Sequence, residues 1–231
     1  IDKLTTMLTT LWNVINIDKD FYVANVVIRS IADNVALLFL IYDKDEGEIR
    51  ILRHYLFLLD GIRSRLANII MPIKNDDVTE DEYQKLIKQQ EDFKSMLNDC
   101  KKNIIECITS LKIYNTNKLG IDMLMKNKKG EELYNWKFKT LNIVPSQINT
   151  EKNTYNWKSM YSEIKLPEKF FSSFLSDYVH GLSMSNITIA PDKQNMGTLV
   201  YITKVLMERI ELFVRKYYAI ELKDIKKNTK Q

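Results

Sequence analysis

Two apolar rows with helical spacing, separated only by a short polar turn, limit this chain more than any other feature of its sequence. In the first row Ile49, Leu52, Leu56, Leu59, Arg63, Leu66 and Ile70 alternate by three and four. Pro72 and the polar run "KNDD" end it. The second row, Tyr83, Leu86, Gln90, Phe93, Leu97, Cys100, Ile104, Cys107 and Leu111, keeps the same alternation. Thr79 and Glu82 precede it with the T-x-x-E spacing of a capping box. Two rows of this period, joined by a short turn, predict a long antiparallel helical hairpin. Each row contains one strongly polar intruder. Counted outward from the turn, Ile70 stands opposite Tyr83 and Arg63 opposite Gln90, so Arg63 and Gln90 are expected to form a structural polar pair that fixes the register.

The flanking segments read the same way. A first short helix covers "DKLTTMLTTLWNVI", and Asp18 or Asp20 is placed to cap a second that reaches about Tyr42. That second helix is apolar nearly all round, which suits the middle of a bundle. Its run "VVIRSIADNVALLFLIY" carries Arg29, Asp33 and Asn34 and is only 17 residues long. Ions at mid-membrane cost about 3 kcal/mol each on insertion scales, so a buried core helix is expected rather than a membrane span. Pro167 opens a helix that carries His180, and a last helix runs from about Asn195 to Ile220 with Leu199, Ile202, Leu206, Ile210, Phe213 and Tyr217 inward. Six glycines and four prolines in 231 residues are too few for the tight turns of sheets. The expected fold is all-α, a multi-helix bundle forming a single domain over residues 1–222, followed by a basic flexible tail at 223–231. "YNWK" occurs at 134–137 and again at 155–158; the flanks match only loosely, so the repeat is read as coincidence, with Trp136 and Trp157 laid as lids over the bundle.

The net charge is +4 and most of it lies in the tail, which leaves a nearly neutral body and argues against a broad phosphate-tracking surface. Cys100 and Cys107 stand roughly 10 Å apart along a helix, too far to bond each other. Free cysteines suit a reducing compartment, and the expectation is a cytoplasmic location. The chain opens on Ile1 without a signal-peptide pattern and reads as a segment with something upstream removed.

Two places could hold chemistry. Arg29 and Asp33 are four apart, share one face of an apolar helix, and must satisfy each other and further groups if buried. They are read either as a structural ion pair or as one wall of a polar pocket. In "FFSSFLSDYVHGLSMSN" the apolar residues Phe171, Phe174, Leu175, Tyr178 and Leu182 share one side. Ser173, Ser176, Asp177 and His180 share another, and Gly181 is placed to end the helix. Capping alone accounts for His180 in the last turn. A Ser176–His180–Asp177 triad is excluded by geometry, because neighbours one turn upstream cannot reach opposite imidazole nitrogens. Neither histidine nor cysteine spacing fits a metal site, no Gly-rich phosphate loop occurs, and no metal or organic cofactor is expected.

The segments "IRSIADNVALLFLIY" and "YNWKSMYSEI…FLSDYVHGLSMSN" resemble the Arg-bearing early helix and the Ser-x-x-Val-His-Gly signature of uncharacterised prokaryotic all-helical families of HEPN-like type. The resemblance covers residues 20–220 in outline and about twenty positions in detail. It implies a helical bundle, a homodimer, and a role in a defence or toxin-related system, with Arg29, Asp33, Ser176 and His180 as candidate ligand-binding residues. The nuclease members of such families have four to six residues between Arg and His on one helix, and this chain lacks that motif: the corresponding positions before His180 are Ser173, Phe174 and Leu175, and Arg50 is separated from His54 by only three residues. A non-catalytic helical interaction module is therefore the expected function, with RNA or nucleotide binding, and RNase activity centred on His180 and Arg29, as the alternative.

Overall fold

A computed structural model of the chain describes residues 2–74, 77–141, 153–175 and 193–218. Within them the α-helices are α1 (Asp2–Asn13), α2 (Phe21–Leu38), α3 (Gly47–Ala67), α4 (Glu80–Ser110), α5 (Lys112–Thr116), α6 (Lys118–Met125), α7 (Trp157–Glu163) and α8 (Lys193–Tyr217). Short π-helical segments extend α1 (Val14–Asp18) and α2 (Phe39–Asp43), and a third covers Phe170–Phe174. The only β pairings among the described residues are two isolated bridges, Lys126–Glu132 and Phe138–Thr154. The protein is all-α. The chain groups into two compact units, Ile1–Leu40 with Tyr155–Gln231, and Ile41–Thr154.

In the first unit α2 is the central element, in contact with α1, α7 and α8. Lys19 takes a left-handed backbone (φ 54°) that ends the π turn after α1. Asp20, not Asp18, then caps α2, accepting from the Val23 amide at 3.0 Å. Ile28, Ile31 and Ala32 are wholly buried. Together with its π extension this helix runs over Phe21–Asp43, 23 residues, and by length and composition it is long and apolar enough to cross a membrane. The length argument made from the 17-residue run therefore does not hold. Within its unit, half of its most apolar stretch is buried, and the helix contacts α1, α7 and α8.

In the second unit α3 lies against α4. The capping box at Thr79 and Glu82 is present in both directions and opens a helix of 31 residues. The expected seam is only partly used. α3 stops at Ala67, so Ile70 lies beyond it and is 82% exposed. On α4, Leu86 and Phe93 are exposed, Leu97 is buried, and further on Ile108 is buried while Cys100 and Cys107 face solvent. A straight α-helix drifts by about 20° per heptad against a 3.5-residue period, and this carries the contact stripe from the Cys107 row towards Ile108. At the break after α4, Leu111 cannot cap α5. The Glu48 carboxylate of α3 does so instead, accepting from the amides of Ile113 at 2.8 Å and Lys112 at 3.2 Å.

The arm that follows α6 is tied down by a residue the periodicity had not singled out. Arg53 is 1% exposed. Its Nη1 donates to the main-chain carbonyls of Trp136 (2.7 Å) and Phe138 (2.9 Å), its Nε reaches Asp45 at 2.8 Å, and its guanidinium lies 4.0 Å from the centre of the Phe138 ring. Trp136 packs edge-on to Phe57 and donates its indole N–H to Asp60 at 3.0 Å. The two "YNWK" copies differ in conformation: Tyr134 has φ 48° in the arm, whereas Asn156 caps α7.

Candidate functional site

The apolar surround of α2 makes the Arg29–Asp33 pair the natural place to start. Arg29 Nε donates to Asp33 Oδ1 at 3.1 Å, with the arginine side chain 12% exposed. The third party is Tyr161 of α7, whose hydroxyl donates to the same Oδ1. The guanidinium carbon sits 5.2 Å from the centre of the Tyr161 ring, and Trp157, four residues back on α7, stacks on that ring at 6.2 Å. Asn156 positions α7 by accepting from the Ser159 amide at 2.8 Å. Burial, then the hydrogen bond to Asp33, pushes the Tyr161 hydroxyl pKa well above its usual value. The phenol therefore keeps its proton and acts as a fixed donor rather than a proton shuttle.

One atom of this cluster is out of balance. Arg29 Nη1 is buried and has no hydrogen-bond partner among the described residues. Leaving a buried donor unsatisfied costs about 1–3 kcal/mol. Ser176 and His180, expected to complete the cluster, lie outside the described residues. Tyr161 was the member that sequence reasoning missed, although "YNWKSMYSEI" places Trp157 and Tyr161 four apart on one helix face.

The other predicted pair is distributed differently. Arg63 donates to Asp60 Oδ1 at 2.6 Å and to the Glu132 carbonyl at 3.1 Å. No hydrogen bond among the described residues joins it to Gln90, which is half-buried on α4. His54, the other histidine, shares a 3.1 Å hydrogen bond between Nδ1 and the Tyr42 hydroxyl. Among the described residues no three His, Cys, Asp or Glu side chains converge as a metal site would require.

A second feature of the first unit is an apolar groove of about 840 Å³ between α1 and α8. Leu8, Leu11, Trp12 and Ile15 line one wall, and Val200 and Met207 the other. Trp12 is 61% exposed, Val200 58% and Met207 53%. Its rim carries Lys204, Glu208 and Glu211. From Val200 to Glu211 the α8 wall spans about 16 Å at 1.5 Å per residue, three turns of helix. The sequence signal was present but passed over: these residues lie beside the buried row Leu199, Ile202 and Leu206.

No protein-family model, curated protein or solved structure matches this chain.

Proposed function

We propose that this chain is a helical interaction module that docks a partner helix in the groove between α1 and α8. The observation that carries this reading is the exposure of Trp12, Val200 and Met207 along a three-turn apolar groove. Large exposed apolar patches with a polar rim mark association surfaces rather than ordinary solvent-facing helix. The groove is long, open and flanked by charges, which suits an amphipathic helix laid lengthwise. The resemblance of the sequence to HEPN-like families supports the same role, as a component of a prokaryotic defence or toxin-related assembly. A photo-crosslinking side chain placed at position 207 tests it in cells expressing the full chain. A discrete adduct of defined mass supports the module, and its absence, with the same group at exposed position 96 as control, contradicts it.

One observation favours a second reading, an anion-binding site in the first unit. Nη1 of Arg29, without a hydrogen-bond partner among the described residues, is a charged donor beside Asp33 and Tyr161. A phosphate oxygen of a nucleotide or RNA would satisfy it. Calorimetric titration with nucleoside monophosphates and short RNA, against Arg29→Met, tests this. Binding lost in the variant supports the reading, and equal binding or none removes it.

A further inference from the structure

We propose that the occupant of the α1–α8 groove is α8 of a second copy of this chain. The helix lies antiparallel across a two-fold axis, so that Lys204 of each protomer faces the partner's Glu211. The inference rests on the groove being a docking surface and adds the identity and register of what docks there.

Val200, Thr203, Met207, Ile210, Val214 and Tyr217 alternate strictly by three and four. Val200 and Met207 are exposed and the other four are half-buried. The row runs beside the fully buried Leu199, Ile202 and Leu206, so α8 has one apolar row inside its own unit and a second that is not fully covered. In a heptad whose core positions are this second row, Lys204 and Glu211 both fall at the e position.

Charge then decides orientation and register. In a parallel pair an e residue meets a g residue of the other helix, and the g positions here are Leu199 and Leu206, which are buried, and Phe213, which is half-buried. Only an antiparallel pair brings e against e. Of the heptad registers available, one sets Lys204 against the partner's Lys204 and another sets Glu211 against the partner's Glu211. The register between them sets each Lys204 against the partner's Glu211, twice by symmetry, with Met207 against the partner's Ile210 and Thr203 against the partner's Val214. Such a contact is self-complementary and closes as a dimer. Among the described residues Lys204 makes no ion pair. Glu211 is held at 2.5 Å by Arg215, with both side chains more than half exposed, and such surface pairs are weak enough to be shared. Trp12 on α1 and Ile15 on its π-helical extension form the wall that the incoming helix would meet.

Sedimentation velocity over a range of concentrations tests this with the parent chain, Lys204→Glu, Glu211→Lys and the double variant. All substituted positions are exposed, and circular dichroism checks that the fold is kept. Each single change puts like charges at both crossings and should weaken dimerisation about tenfold or more, while the double change restores it. A parent that stays monomeric overturns the self-pairing, as do single variants that dimerise like the parent or a double variant that does not recover. If the parent is monomeric but position 207 crosslinks to a different protein, the groove reading survives and the self-pairing does not. A monomer with no crosslink ends both.

Discussion

Tyr161 and Asp33, 128 residues apart in sequence, are joined by a hydrogen bond from the phenol to a carboxylate oxygen that also accepts from Arg29. Through it α7 is fastened to α2. Tyr161→Phe keeps the buried ring and removes only the donor to a charged acceptor. The expected loss is about 1.5–3 kcal/mol. It would be read as a lowered denaturant midpoint with an unchanged slope; an unchanged midpoint would mean the bond contributes nothing net.

Arg53 gives a sharper case in the second unit. Arg53→Met fills similar space but strands Asp45 and the carbonyls of Trp136 and Phe138. Removing one partner of a buried ionic network costs about 3–5 kcal/mol. Hydrogen exchange should show the amides of the arm, residues 126–141, losing protection first. Uniform loss over both units would contradict the assignment of Arg53 as the anchor of the arm.

The two halves of α4 should respond differently to truncation. Leu97→Ala removes a buried side chain and should cost about 2–4 kcal/mol. Leu86→Ala, at an exposed position of the same sequence row, should stay within about 0.5 kcal/mol. Equal losses at the two positions, measured by urea denaturation, would restore the full-length seam read from the sequence.

His54 supplies a pH dependence. Burial lowers its pKa below the usual 6.5. Below that pH the unfolded chain takes up the proton while the folded chain resists it, so the unfolded state binds more protons and stability falls. The stability is present above pH 6.5 and lost as pH drops towards the lowered folded value. His54→Asn, which keeps a polar group near the Tyr42 hydroxyl, should flatten this part of the stability profile. An unaltered slope between pH 7 and 5 would show that His54 does not carry it.

What could be read from the sequence was local. The capping box at Thr79 and Glu82, the acidic cap before α2 and the four-residue spacing of Arg29 and Asp33 each depend on neighbours within one turn. The all-α class followed from the same periodicities. What could not be read was long-range or cumulative. The carbonyl partners of Arg53 lie 83 and 85 residues away, and Asp45, eight residues upstream, does not by itself announce a buried cation. The shift of the α4 contact from Cys107 to Ile108 is a small angular drift summed over heptads. Arg63 had an acid three residues upstream, Asp60, which competes with any partner across the hairpin. At the candidate site the pair on α2 was legible because a helix face is a local property. Tyr161 was not, because it arrives from α7 through the tertiary fold.

The central claim is that two copies of this chain associate through the face formed by α1 and α8. Hydroxyl-radical footprinting of the full chain at low and high concentration tests it most directly, with Met207 and Trp12 as reporters. Met96 on α4, exposed to a similar degree, serves as the internal reference. The account predicts that oxidation of Met207 and Trp12 falls at high concentration while that of Met96 does not change. Met207 oxidising at the same rate as Met96 under both conditions would contradict it.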